Sequence, residues 1–251
     1  MIALITGATS GIGKSTAELF AKNKYDVIIT GRRKDRLSKL QKQIEKEFKV
    51  KVLSLCFDIR QQNEVQKAMD DLPKEFKAID VLVNNAGLAA GLSSIQEGNL
   101  DHWERMIDTN IKGLLYMTKC ISKIMIANKK GHIINVGSVA GKEAYANGNV
   151  YCATKHAVDA LNKSMRIDLL QHGIKVSAVN PGMVETEFSV VRFDGDADRA
   201  KKVYDGVHPL TPSDIAETIY WMASRPAHVN INDVIIMPTA QANATTLIRK
   251  N

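Results

Sequence analysis

Tyr151 and Lys155 stand four residues apart in a stretch of helical pattern, so their side chains share one face. A tyrosine phenol ionises near a pKa of about 10, too high for easy proton transfer near neutrality. A lysine ammonium close by stabilises the phenolate and lowers that value. The pair is therefore a candidate acid–base catalyst; the alternative is an ordinary Tyr and Lys on a surface helix. Its company favours the first. Ser138 lies thirteen residues before Tyr151, just past an apolar run. Asn84-Asn85-Ala86-Gly87 and Asn180-Pro181-Gly182 each close another such run, and Asn110 sits inside a long helical pattern. All but Asn110 fall at strand carboxyl ends or on the helix facing them, where open α/β sheets bind ligands.

A second constellation sits near the start. Gly7-Ala8-Thr9-Ser10-Gly11-Ile12-Gly13 follows the first apolar run and opens a helix. Glycines there permit a tight turn and a close approach to a pyrophosphate, and the helix offers free N–H groups and its positive dipole end. The spacing is GxxxGxG rather than GxGxxG, and only its place between strand and helix makes it informative. The next strand ends in Thr30-Gly31-Arg32-Arg33. Folds that bind NAD often carry an acid here for the ribose hydroxyls. Two guanidiniums suit a 2′-phosphate instead, which favours NADP(H).

The elements that must position these residues alternate. Aliphatic and β-branched runs at 2–6, 26–30, 51–55, 81–84, 132–136, 175–180 and 233–237 predict seven strands. Helical patterns at 12–22, 34–48, 61–72, 101–128, 149–171 and 212–223 separate them. Strands that are apolar throughout belong to parallel sheets covered on both faces. The expected fold is a Rossmann-like, doubly wound seven-stranded parallel sheet with helices on both faces. One domain then spans residues 1–251. Both periodicities fade at about 184–211, which is expected to be a substrate lid.

Composition narrows the function. The net charge is +7, and residues 22–51 hold eleven basic against four acidic residues, which accounts for the whole excess. A local basic patch suits an anionic ligand or a solvated helix face; no aromatic-interleaved stripe or helix-turn-helix pattern points to nucleic acid. Lys39, Lys42, Lys46, Lys49 and Lys51 lie too far along the helix for the adenosine end and are expected to be solvated. Cys56, Cys120 and Cys152 lack CxxC spacing, so they are expected to be small buried hydrophobes in a reducing compartment. Six histidines without HxH or HxxxH spacing predict no metal. No run of about 18 apolar residues predicts a membrane span, and a cytoplasmic location follows as the expectation.

Taken in order and spacing, the glycine turn, Asn-Asn-Ala-Gly, the Asn110–Ser138–Tyr151–Lys155 set and Asn-Pro-Gly resemble the classical short-chain dehydrogenases/reductases over essentially the whole chain. A closer resemblance, to the NADP-dependent 3-hydroxy acid (serine or allo-threonine) dehydrogenases, rests on Thr30-Gly31-Arg32-Arg33, Met106-Ile107-Asp108-Thr109-Asn110, Lys112-Gly113-Leu114 and Gly148-Asn149-Val150-Tyr151. It also rests on Thr186-Glu187-Phe188-Ser189, Val191-Arg192-Phe193 and residues 226–232, which lie outside the shared cofactor machinery.

The resemblance implies roles. Tyr151 would be the general acid in carbonyl reduction and the base in alcohol oxidation. Ser138 would polarise the substrate oxygen, and Lys155 would hold the nicotinamide ribose and depress the Tyr151 pKa. Asn110 would hold a water linking Lys155 to solvent. Gly7, Thr9, Ser10, Gly11, Ile12 and Gly13 would line the pyrophosphate, and Arg32 and Arg33 the 2′-phosphate. Asp58 and Ile59 would frame the adenine, and Asn85, with Ala86 and Gly87, the ribose beside it. Pro181, Gly182, Val184 and Thr186 would surround the nicotinamide. Helices 101–128 and 149–171 would pair subunits into a homotetramer. A small hydroxy acid also needs an anion partner: Arg192 is the first candidate and Lys142 the second. The alternative for Arg192 is a surface pair with Asp194 or Asp196.

Rival readings remain at this level. One is a 3-oxoacyl thioester reductase or a broad carbonyl reductase. Another is a protein that senses NADP(H) without turnover, which has no use for Tyr151.

Overall fold

The computed structural model describes residues 1–250. Seven parallel strands, β1 (Ile2–Ile5), β2 (Asp26–Gly31), β3 (Val52–Cys56), β4 (Val81–Asn84), β5 (Gly131–Val136), β6 (Ile174–Pro181) and β7 (Asp233–Ile236), form one sheet in the order β3-β2-β1-β4-β5-β6-β7. This is the expected architecture, with strand ends shifted by at most one residue. From β1 the chain adds β2 and β3 on one side, and from β4 it adds β5, β6 and β7 on the other, so a crevice opens at the carboxyl ends of β1 and β4.

Alternation along each strand divides the core between the two faces. Ala3, Ile5, Val81, Val83, Ile134 and Val136 point to one face. They pack on Phe20 of α1 (Gly11–Lys22), Leu37, Leu40 and Ile44 of α2 (Lys34–Phe48), and Ile215, Ile219 and Met222 of α9 (Pro212–Ala223). Leu4, Leu82 and Ile133 point to the other face. There they meet Val65 and Met69 of α3 (Gln62–Asp70), Met117, Ile121 and Met125 of α5 (Leu114–Ala127), and Val158, Met165 and Leu169 of α6 (Asn149–Leu169). Full burial of one such side chain contributes roughly 1.5–3 kcal/mol, so both helical layers are firmly held. A capping box, Thr211 with Asp214, and Pro212 in the first turn start α9.

The helical pattern at 101–128 is not one α-helix. It is α4 (Leu100–Ile107), a wide π-helical turn at Asp108–Gly113, then α5. The π turn places Asn110, and such turns concentrate at functional sites. The segment expected to lack regular structure carries two short helices, α7 (Phe188–Arg192) and α8 (Ala197–Lys202). Its ends meet where Val184 pairs with Leu210, and the Tyr204 hydroxyl donates to the Val184 carbonyl at 3.0 Å.

Two surface expectations divide. Lys39, Lys42, Lys46, Lys49 and Lys51 are exposed on and just beyond α2, opposite buried Leu37, Leu40 and Ile44. Of the cysteines only Cys152 is buried; Cys56 is exposed, because β3 is the sheet edge and its last residue leaves the core. No described helix is long and apolar enough to cross a membrane.

Candidate active site

The crevice at the carboxyl ends is a cleft of about 530 Å³ running from Arg32, Arg33 and Asp58 past the glycine turn to Ser138, Tyr151, Lys155 and Thr186. The turn is built by β4 as much as by its own glycines. Thr6 Oγ1 accepts from the Asn85 and Ala86 amides at 3.0 and 2.9 Å, and Asn85 Nδ2 donates to the Thr6 and Gly7 carbonyls at 2.8 and 3.2 Å. Gly7 has φ +67, where a side chain is strained. Gly13 does not line the cleft. A Cβ there would lie 2.5 Å from the Gly7 carbonyl oxygen, so Gly13 lets α1 press against the back of the turn. Asn85 lines the cleft, but its amide hydrogens are spent on the turn, so it acts there as a brace. The first turn of α1 leaves N–H groups without intrahelical partners facing this cleft.

At the adenosine end Arg33 is more engaged than the sequence suggests. Its Nε and Nη2 donate to Thr9 Oγ1 at 3.0 and 2.6 Å, and Nη2 also reaches Ser10 Oγ at 2.9 Å. Its Nη1 donates to Glu187 at 2.9 Å across the cleft, and Arg36 Nη1 donates to the same carboxylate at 2.7 Å. Partial burial pushes the Glu187 carboxyl up, but the two guanidiniums outweigh it and hold it below the usual range. Arg32 is exposed and lies 3.9 Å from Asp58, which is gripped by Arg60 at 2.6 Å. Glu187, Arg36 and Arg60 are not among the expected site residues: Glu187 meets Arg33 and Arg36 across more than 150 residues, and Arg60 lies two residues past Asp58.

At the other end β5 delivers Ser138 in extended conformation, its hydroxyl accepting from the Ala140 amide at 3.1 Å. One face of α6 delivers Tyr151 and Lys155, both buried. Burial raises the Tyr151 pKa, and the neighbouring Tyr145 adds to that; the Ser138 hydroxyl and the Arg192 charge oppose it. Burial lowers Lys155 to about 8, and its Nζ donates to the Val136 carbonyl at 3.0 Å. The groups that shift Tyr151 do not include Lys155. Asn110 is anchored through its side chain. Its Nδ2 donates to the Leu88 carbonyl at 2.8 Å and to Thr154 Oγ1 at 3.0 Å, while Oδ1 accepts from the Leu88 amide at 2.9 Å. With both amide hydrogens taken, the side chain ties α6 and the π turn to the loop after β4.

The anion candidates separate cleanly. Lys142 is outside the cleft: Nζ sits 2.5 Å from both Asp159 and Asp233, bridging α6 to β7. Arg192 lines the cleft, and its guanidinium carbon is 5.4 Å from the Tyr151 ring centroid. It does not pair with Asp194, which faces His102 at 3.3 Å and Arg105 at 3.8 Å. Tyr145, unexpected from sequence, accepts from Arg192 Nη2 at 2.6 Å, and Phe188 meets the Tyr151 ring edge-on.

The family model for short chain dehydrogenases matches residues 1–196. The chain belongs to the short-chain dehydrogenase family. It is thus an oxidoreductase. This short-chain dehydrogenase is 45% identical over 252 residues to the NADP-dependent 3-hydroxy acid dehydrogenase of Salmonella typhi, with 100% of both chains covered. It is 44% identical to the Schizosaccharomyces pombe enzyme of the same description, over 98% of this chain and 96% of that one. Among solved structures it is similar to the closed form of serine dehydrogenase complexed with NADP+, at 42% identity and TM-score 0.93, with 100% of both chains covered. The serine dehydrogenase of Escherichia coli follows at 38% identity and TM-score 0.84, covering 96% of this chain and 100% of that one.

Proposed function

We propose that this chain is an NADP(H)-dependent oxidoreductase of small 3-hydroxy acids and β-hydroxy amino acids, of the serine, allo-threonine and 3-hydroxypropionate type. The observation that carries the reading is a cationic Arg192, without an ion pair among the described residues, over the ring of Tyr151. An acid–base phenol and a fixed cation in one cleft suit a substrate with a carbinol at one end and a carboxylate at the other.

The cleft fits a dinucleotide: it is long, lined at one end by Arg32 and Arg33 and centred on a helix N-terminus. Arg32 and Arg33, with no acid at the end of β2, suit a 2′-phosphate. Gly7, Thr9, Ser10, Gly11 and Ile12 would hold the pyrophosphate. Asp58 and Ile59 would frame the adenine. Pro181, Gly182, Val184 and Thr186 would hold the nicotinamide, and Lys155 the ribose beside it. Bound NADP(H) would supply or accept the hydride.

The chain's own residues do the rest. Arg192 holds the substrate carboxylate and so orients the carbinol toward Tyr151 and Ser138. Ser138 donates to the substrate oxygen as charge develops on it. Tyr151 takes the hydroxyl proton in oxidation and returns it in reduction. Residues 184–211 form the lid over this end, with Phe188 and Tyr204 excluding water. The protein works as a homotetramer in the cytoplasm. In support, Leu115, Ile167 and Leu170 on α5, on α6 and just past its end expose apolar side chains, and three free thiols suit a reducing compartment.

A steady-state panel with NADP+ tests the reading. Short 3-hydroxy acids and serine should be oxidised well ahead of neutral alcohols. Preference for acetoacetyl thioesters in reduction, or NADPH binding without turnover of any substrate, would replace it.

A further inference from the structure

Arg192 belongs to a lid of short helices, and its guanidinium lies over the Tyr151 ring. The natural partners nearby are occupied. Asp194 faces His102 and Arg105, and Asp196 caps α8 by accepting from the Arg199 amide at 2.9 Å. The Arg192 Nε is buried without a partner. The one side-chain hydrogen bond on the guanidinium among the described residues is the 2.6 Å bond to the Tyr145 hydroxyl. The Tyr145 ring also lies under the cation, 5.7 Å from ring centroid to guanidinium carbon. Tyr145 is itself fixed, because its ring fills the space that a side chain at Gly148 would take. The lid backbone is held separately, by the Gly91 amide donating to the Arg192 carbonyl at 2.9 Å.

From this we infer that Tyr145 is a positioning residue that sets substrate specificity: its hydroxyl and ring hold the Arg192 guanidinium over Tyr151, where it meets a substrate carboxylate. The inference rests on the reading of Arg192 as the carboxylate partner. Tyr145 acts on the acid end of the substrate through Arg192 and leaves the proton chemistry to Tyr151 and Ser138.

The test uses the full-length enzyme with Tyr145→Phe, Arg192→Ala and the double variant. For each, kcat and KM are measured for 3-hydroxybutyrate and for 1,3-butanediol with NADP+, with NADPH affinity and thermal midpoint as controls of folding. Losing one charge-assisted hydrogen bond is expected to lower the ratio of kcat/KM for acid over diol about tenfold in Tyr145→Phe, mostly through KM. Arg192→Ala should lower that ratio further, and the double variant should match Arg192→Ala alone, because Tyr145 acts through Arg192. If Arg192→Ala lowers the ratio and Tyr145→Phe does not, the positioning role is wrong and the anion reading stands. Additive losses in the double variant also overturn the role. An unchanged ratio in Arg192→Ala would remove the anion reading itself. Should Tyr145→Phe prove unstable, Tyr145→Gln, which keeps an acceptor, is measured instead and should restore part of the ratio lost in Tyr145→Ala; equal ratios in those two variants overturn the role.

Discussion

The Lys155 ammonium donates to the Val136 carbonyl 3.0 Å away, and the causes of its lowered pKa of about 8 come down to burial. A cation held this way is costly to the folded state and useful only when a ligand arrives. It links the stability of the protein to its function.

Lys155→Met should therefore be inactive yet more heat-stable than the parent at pH 7 without cofactor, by on the order of 2–3 kcal/mol. The sign follows from proton binding. Between about pH 8 and the ordinary lysine value near 10.4 the unfolded chain holds a proton that the folded parent has released. The parent gains stability across that window, and the advantage of Lys155→Met should shrink there. Thermal midpoints of both proteins from pH 7 to pH 10 check this.

Replacing Arg32 and Arg33 together by Ala should weaken NADPH binding by roughly 1.5–3 kcal/mol and NADH binding far less. Arg33 also joins Thr9, Ser10 and Glu187, so its loss frees the lid from the glycine turn. Titration of both cofactors by fluorescence distinguishes the phosphate contact from a general loosening. Equal losses would mean that only the turn has suffered.

Lys142→Met should cost stability, about 1–3 kcal/mol, while leaving kcat and KM for hydroxy acids in place. The Lys142 bridge to Asp159 and Asp233 is half-buried and remote from the cleft. Burial pushes the Asp159 carboxyl up, but Lys142 and Lys163 outweigh it and hold it below its ordinary value. Its contribution is thus complete above the ordinary carboxylate pKa of about 4 and is lost as pH falls through the lower folded value. The gap in thermal midpoint should stay constant through neutral pH and close in strong acid. A rise in hydroxy-acid KM would return Lys142 to the substrate site.

Sequence carried the sheet because strands such as Ile2–Ile5, buried at every position, differ sharply from the mixed helices around them. Tyr151, Lys155 and Ser138 were legible because two share a helix face and the third ends a strand. The π turn was not, since a widened turn leaves no signature in residue type and 101–128 shows one unbroken pattern. The exchange of Lys142 for Tyr145 was hidden for another reason. Both lie between Ser138 and α6, and Lys142 is held away from the cleft by Asp159 and by Asp233, 91 residues along the chain. Likewise Glu187 meets Arg33 across 154 residues. Spacing within a motif reports on one helix or turn; it carries nothing about such partners.

Tyr151 is proposed as the residue that moves the proton while a short 3-hydroxy acid is oxidised with NADP+. The most direct measurement is NADPH formation from NADP+ and serine or 3-hydroxypropionate by the parent and by Tyr151→Phe. The phenol-to-phenyl change should abolish turnover and leave NADPH affinity within about twofold, since a buried phenyl fills the same space. NADPH formation by Tyr151→Phe at the parent's rate would remove Tyr151 as the proton carrier, and none from any hydroxy acid by the parent would remove hydroxy acids as substrates.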